Sequence, residues 1–431
     1  MMIQAFYTGI SGVKAHQTAI DVVADNLANT STLGFRGYSS EFSSLFEKSV
    51  VGPSDRNAGV GLGTSVNAIT MDNNSGVIQL SERNTDLAIM GDGWFGIQGE
   101  GAPIYTRDGS FTFDRERDLV TADGYYVLGT MGKNINNGVL TQQLSEVGLG
   151  NVATQEKLRF PNELTYPVSP TTEAKFFGNL GLDDTTRVIS SKAIDAQSNT
   201  NNIRLEFNKV VPQVSPGTQW NVVATAQSAG VQTFYNEQTG ETTYLPDEIY
   251  DTQSGVVSFD DSGVIVSNTL STINNNGTPV NINLGTGYEG LISMNNPFSG
   301  SSTSDGVKSG ELYGYEINKN GQIIATFSNG MQSSIGSVAV YHFQNDKGLE
   351  RINGSRFSES TNSGRPIFFQ DANGNNILGT DLSNFKLEGS NVRMEVALTE
   401  IIIMQRSYDA NSKCITTADQ MLQKALNMSA K

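Results

Sequence analysis

The chain has 431 residues, 37% of them apolar, with 45 Gly and only 11 Pro, which is room for about two to four compact, turn-rich domains. Lys and Arg total 28 against 44 Asp and Glu, a net charge of −16, and without a Lys/Arg cluster there is no electrostatic footprint for nucleic acid or anionic lipid. A single cysteine, Cys414, excludes an intramolecular disulfide, and two histidines, His16 and His342, without HExxH or CxxC spacing leave metal and Ser-His-Asp chemistry without residues, so no catalytic, metal or cofactor residue is assigned.

The N-terminus carries no basic n-region, continuous apolar h-region or small-residue cleavage site, so it does not read as a secretory signal. From Ile3 to Leu27 apolar residues recur at 3-4 spacing: Ile3, Phe6, Ile10, Val13, Ile20, Ala24 and Leu27, with Gln17 as the polar exception. This predicts a heptad-patterned helix that Asn29, Thr30 and Ser31 end. Residues 30–75 are Gly- and Ser-rich and read as extended chain with short strands.

Beyond them lie short strands joined by turns. Asp108-Gly109, Asp123-Gly124 and Asn320-Gly321 each separate apolar runs and predict two-residue hairpins in which both central residues take positive φ. Composition shifts near Asn151 and again at Ser299–Ser304, with polar tracts such as Gln197–Asn202 between, which marks a separate β domain inserted into an outer one. Its aromatics Trp220, Phe234, Tyr235 and Tyr244 read as strand core, with exposed sugar-binding residues as the competing reading. The pairs Asp183-Asp184 and Asp260-Asp261 lie beside turn residues and point to turns, not to glycosidase or calcium chemistry.

The C-terminus returns to helix. Met394, Ala397, Ile401, Met404, Tyr408, Asn411, Ile415, Ala418, Leu422 and Ala425 keep the 3-4 spacing, and Ser390 or Asn391 is placed to cap the helix. The run Ile401–Met404 is far too short to span a bilayer, and Cys414 reads as a small buried thiol. On pattern alone the two stripes suit either an intramolecular helix pair or many copies packed side by side. The predicted fold is mostly β with paired terminal α-helices in nested discontinuous domains: a helical assembly domain at 1–29 and 391–431, a connecting segment at 30–75 and 381–390, a β-rich middle domain at 76–153 and 303–380, and an inserted β domain at 154–302.

Five blocks, in order and at both ends, resemble the flagellar rod and hook protein family. Ala24 to Phe35 is similar to the family signature that closes the first helix, with Asn26, Leu27, Asn29, Gly34 and Phe35 as matching positions. Asn84 to Phe95, Tyr105 to Phe111 and Leu119 to Tyr125 follow, and Ser390 to Val392 with Gln405, Arg406 and Asn411 complete the set. The insert and the Gly310–Gly330 block resemble the hook branch more than the rod branch. The family carries acidic residues where this chain has Arg393 and Ala397, and the insert itself matches no family block.

The resemblance implies a non-enzymatic structural subunit of the flagellar hook, a flexible tube that transmits torque from rod to filament. It implies an extracellular location at the hook and basal body, reached by export without signal cleavage. Implied partners are further copies in a helical homopolymer, the rod, hook-cap and hook–filament junction proteins, and the export apparatus; neither nucleic acid nor membrane insertion is expected. Ile3, Phe6, Ile10, Val13, Ile20, Leu27, Met394, Ile401, Met404, Tyr408, Ile415 and Leu422 are the expected interface residues. The alternatives are a distal rod or minor hook-like paralogue and, from another class, a secreted adhesin or glycan-binding β protein.

Overall fold

The structure, a computed structural model, describes residues 2–45, 47–49, 59–99, 101–183, 185–213, 217–230, 232–236, 241–245 and 247–429. Helix α1 spans Met2–Ala28 and helix α2 spans Met394–Ser429. The terminal apolar periodicities become these two helices, and strands fill most of the chain between. α2 starts without a cap from Ser390 or Asn391. The Asn391 side chain instead accepts the Gly37 N–H (2.8 Å) and donates to the Asp72 and Asn74 carbonyls (both 2.9 Å), so its hydrogen bonds are committed to the neighbouring strand end before the helix begins.

Beyond the helices and one N-terminal hairpin, the layers up to the insert are built from both halves of the chain. The hairpin of Tyr38–Ser44 and Thr64–Met71 lies against α1, with a β-bulge at Glu41/Phe42. Ile78–Leu80 then pairs with Lys386–Glu388, and Leu87–Ile89 with Leu382–Asn384, both antiparallel. Among the described residues a fifteen-stranded sheet follows, in which Tyr126–Met131 bonds to Trp94–Gln98 on one side and Gln332–Val338 on the other. Its core gathers Phe95, Phe111, Val127, Leu158, Phe160, Ile323, Phe327 and Val338. Leu158, Phe160, Leu164 and Tyr166 belong to this core, so the middle domain continues past the composition boundary at 153.

Among the described residues the insert is a sandwich of two five-stranded sheets, with a two-stranded sheet of Gln232–Asn236 and Glu241–Leu245 besides. One contains Glu173–Asn179 and Thr278–Asn283; the other contains Arg187–Ile194, Thr200–Lys209, Thr218–Ser228 and Ile249–Phe259. Period-two alternation puts Trp220, Val222, Ala224 and Ala226 on the inner face, where they meet Phe176, Phe207, Phe259 and Leu291. Trp220 is fully buried and donates its indole N–H to Ser293 Oγ at 3.2 Å, which removes it from any surface that could bind sugar. The side chains of Phe234, Tyr235 and Tyr244, like Asp184, lie outside the described residues.

The turns depart from the expected geometry. At Asn320-Gly321 and Asp123-Gly124 only the glycine has positive φ, and Asp108-Gly109 has none. The strands flanking Asp108-Gly109 do not pair with each other: Ile104–Thr106 joins Trp94–Gln98, and Phe111–Phe113 joins Leu119–Thr121. The recurrent device is a longer loop. Asn318 Oδ1 accepts the N–H groups of Asn320 (3.0 Å) and Gln322 (2.9 Å), with Gly321 at φ 72°. The same pattern recurs from Asp260 to Ser262 and Val264, and from Asp371 to Asn373 and Asn375. A side-chain oxygen that takes two N–H groups holds a type I turn followed by one left-handed residue, so a second positive φ is not needed.

Several insert carboxylates accept hydrogen bonds too, Asp195 within its own turn and Asp251 and Asp305 from distant strands, and hold their protons weakly. Burial alone would raise Asp195, but donation from Asn276, Asn199 and Asn201 brings it below the ordinary range. Asp305 is lowered likewise, against its burial, by Thr172 and the Glu173 N–H; Asp251 is lowered chiefly by the Asn274 N–H. Because these native pKa values lie below the unfolded ones, the stabilisation is complete above the ordinary carboxylate range, about pH 4, and is lost as pH falls through the lower native values. The near-UV melting temperature of the insert is therefore expected to drop on acidification below about pH 4. Asp195→Asn should flatten that drop, and an acid-independent melt would contradict the assignment.

Candidate assembly interface and its anchorage

The two terminal helices pair antiparallel. A Cβ on Gly9 would lie 2.8 Å from Ile415 Cγ1, and one on Gly12 would lie 2.6 Å from Asn411 Oδ1, while at the other end Gly37 is bonded to Asn391. The backbones approach closely because α1 presents glycine at the contact. The buried line of α1 runs through Gly9, Gly12, Ala15, Ala19, Val23 and Asn26, one position before the predicted stripe. Phe6, Ile10, Val13, Ile20 and Leu27 are half-buried beside it, and Gln17 and Ala24 are exposed. The side chain of Ile3 lies outside the described residues.

On α2 the predicted stripe is the side that meets α1. Ala397 and Ala418 are buried, and Ile401, Met404, Tyr408, Asn411, Ile415 and Leu422 are half-buried at the same spacing. Met394 and Ala425 are exposed, as are the family-signature residues Gln405 and Arg406. Cys414 is exposed as well, because it stands one position off the seam residue Ile415.

α1 is covered on a second side by the hairpin: Thr64 N–H donates to Ser11 Oγ at 3.3 Å, and the His16 and Phe42 rings lie 5.3 Å apart. Burial lowers the His16 pKa. Among the described residues α2 has no such second cover. Val396, Leu398, Ile402 and Ile403 are exposed by 42–54% near its start, and Met421, Leu426 and Met428 by 53–81% near its end. Sequence reading assigned one apolar face to α2; the second was signalled by the i, i+4 repeat of Met394, Leu398 and Ile402.

The remaining signature residues anchor the helices to the body. The Asn26 side chain donates to the Tyr38 carbonyl (2.7 Å) and accepts its N–H (2.9 Å). Asn29 donates to the Asp25 carbonyl at 2.9 Å. Arg351 of the middle sheet bonds Asp25 at 2.7 Å and lies 5.0 Å over the Phe35 ring. Below them Glu388 pairs with Arg36 (3.0 Å) and Arg107 (3.1 Å), all three side chains being 1–3% exposed. Glu388 also accepts the Gly76 N–H at 2.8 Å, Arg107 donates to the Gly91 carbonyl at 2.6 Å, and Arg36 donates to that of Asn74. Burial first, and then Arg36, lower Arg107 to about 10 against the pull of Glu388, so it stays cationic at neutral pH. Removing one partner from such a buried set costs about 3–5 kcal/mol. No periodic signal in the sequence marks this triad.

Among the described residues no cluster of three or more His, Cys, Asp or Glu is placed to hold a metal ion, and no helix is long and apolar enough to cross a membrane. Residues 6–36 match the flagella basal body rod protein family, residues 88–154 the flagellar hook protein FlgE/F/G D1 domain, and residues 385–428 the flagellar basal body rod FlgEFG protein C-terminal family. The chain is similar to the flagellar hook protein FlgE of Borreliella burgdorferi, with 28% identity over 99% of this chain and 100% of that one. It is 27% identical to that of Escherichia coli K12 over 98% and 100% of the two chains, and 29% identical to that of Brucella suis over 98% of each. The crystal structure of Helicobacter pylori flagellar hook protein FlgE2 covers 70% of this chain and 98% of its own, at TM-score 0.49 and 15% identity. The alignments with these relatives extend through the insert, which matched none of the recognised blocks.

Gly12→Leu is expected to force α1 away from Asn411, exposing both helices to early proteolysis while the near-UV signal of the β domains stays unchanged. Asn26→Ala, which strands the Tyr38 N–H and carbonyl, should destabilise the anchorage by about 1–3 kcal/mol, read as faster amide exchange over residues 26–38.

Proposed function

We infer that this chain, which belongs to the flagellar hook protein family, is a structural subunit of the bacterial flagellar hook. The observation that carries this reading is kinship over nearly the full length, terminal helices and insert included, with proteins named for the hook and not for the rod. It places the chain in the flagellum, assembling with copies of itself and with other axial components.

The mechanism we propose follows from what the lone chain leaves uncovered. The outward face of α2 (Val396, Leu398, Ile402 and Ile403) docks on the helix pair of a neighbouring copy. The half-buried Phe6, Ile10, Val13, Ile20 and Tyr408 complete the contact from the edges of the seam. Each Leu or Ile that becomes fully buried contributes about 1.5–3 kcal/mol, so a few per subunit outweigh the cost of association. The donor and acceptor faces differ, so the contact does not close on itself and propagates a helical tube. The insert, with its polar outer strands, then faces outward, where it slides against neighbours as the tube bends and transmits torque. Rod, hook-cap and hook–filament junction proteins meet this tube at its ends. The subunit reaches it through the flagellar export apparatus without losing its N-terminus, and mass spectrometry of released subunits checks that point.

Leu398→Glu combined with Ile402→Glu should abolish polymerisation while the monomer keeps its helical content and melting temperature; Ile10→Asp should do the same while sparing residues 76–380. Tubes of normal length from either variant, seen by electron microscopy, would count against the docking face.

A further inference from the structure

We propose that Asn353 is a site of spontaneous deamidation, at which the Gly354 nitrogen closes a succinimide ring on the Asn353 side chain and converts it slowly to aspartate and isoaspartate. The sequence holds six Asn-Gly pairs, at Asn137, Asn276, Asn320, Asn329, Asn353 and Asn373. Each offers the least hindered neighbour for ring closure, since glycine carries no side chain. The fold separates them. Four of the glycine N–H groups are held: Gly277 by Asn274 Oδ1 (2.7 Å), Gly321 by the Asn318 carbonyl (2.9 Å), Gly330 by the Phe327 carbonyl (2.9 Å) and Gly374 by the Asp371 carbonyl (3.1 Å). A held N–H must leave its acceptor before its nitrogen can lose the proton and attack. Two of these asparagines are also held by their own side chains: Asn276 donates to Asp195 at 2.8 Å, and Asn329 to the Lys308 carbonyl at 2.7 Å.

Among the described residues no acceptor takes the N–H of Gly138 or Gly354, and neither Asn137 nor Asn353 makes a side-chain hydrogen bond. Gly354 is the more favourable of the two. It turns the hairpin of Glu350–Asn353 and Arg356–Ser358 with φ 54°, and no heavy atom lies within 4 Å of where its Cβ would be. The same point on Gly138 meets the Glu163 carbonyl oxygen at 3.3 Å. Asn353 is exposed, so water reaches it. Arg351 Nε donates to the Gly354 carbonyl at 2.9 Å. That puts a cation beside the nitrogen that must become anionic and the oxygen that takes up charge in the tetrahedral intermediate. The step balances. The Gly354 nitrogen gives its proton to solvent base and its electron pair to Asn353 Cγ; the Cγ–Nδ2 bond breaks and ammonia departs. Water then opens the ring, at Cγ to give aspartate or at the main-chain carbonyl to give isoaspartate. Isoaspartate lengthens the main chain by one carbon at a two-residue turn, which strains the pairing that places Phe357 against Trp94.

The test uses the full-length protein, folded and urea-unfolded, held at mildly alkaline pH in heavy-oxygen water and mapped by peptide mass spectrometry. In the folded protein Asn353 is expected to take up heavy oxygen about five- to tenfold faster than Asn276, Asn320, Asn329 or Asn373, the factor that one intramolecular hydrogen bond supplies. After unfolding, the six sites should converge. Arg351→Gln should slow Asn353 severalfold and leave Asn137 unchanged. A folded protein in which Asn353 reacts no faster than the four held sites, or in the same pattern as the unfolded chain, overturns the proposal. So does a faster Asn353 in Arg351→Gln, which would make the arginine a brace of the turn and not a promoter of the reaction. If that variant fails to fold, the comparison of folded with unfolded protein decides. The chemistry is read on the turn itself and stands whether or not the hook reading does.

Discussion

The contact of Gly12 with Asn411 is where the two ends of the chain come together, and layers farther out repeat that meeting of the two directions of the chain. Two helix backbones this close gain dispersion along their length and leave the chain leaving α1 beside the chain entering α2. Past the N-terminal hairpin, segments from the two directions pair: Ile78–Leu80 beside Lys386–Glu388, Leu87–Ile89 beside Leu382–Asn384, Tyr126–Met131 beside Gln332–Val338. These long-range pairings share one geometry: the outgoing and returning directions of the chain run side by side.

The same contact decides which surfaces remain free. Small residues occupy the buried line of α1, so its larger apolar side chains stand at the flanks of the seam, and the hairpin covers its far side. α2 is left with apolar side chains around more of its circumference than α1 can cover. A solvent-facing helix in a lone globular protein is polar on that side. Exposed Leu398, Ile402 and Ile403 on one helix are the mark of a surface made to be covered.

Much of this was legible. The α2 seam followed the 3-4 spacing from Ala397 to Leu422 because a heptad of Ile, Met, Tyr and Leu reports directly on the side that meets a partner. The α1 seam fell one residue away from the prediction because periodicity ranks residues by apolarity, while a close crossing selects the smallest, Gly9 and Gly12. Trp220 was legible as strand core from alternation. The Asn-Gly and Asp-Gly signals located turns but gave the wrong geometry, since the oxygen of Asn318, two residues before the dipeptide, decides it. The Arg36–Glu388–Arg107 set was not legible at all: its members are far apart in sequence, and charged residues read as surface until a fold buries them.

A subunit of a bending tube needs compliance somewhere, and the structure distributes stiffness unevenly. At the stem, paired charges lie out of reach of solvent and glycines stand in close backbone contact. The crossing to the insert is held by backbone bonds and surface side chains that water can replace at little cost, because an exposed hydrogen bond exchanges for one to solvent. On the function proposed above, curvature is taken up between copies, by sliding at the polar outer surfaces. The inner layer then keeps its packing while the outer layer changes spacing, which is the division of labour that a torque-bearing joint requires.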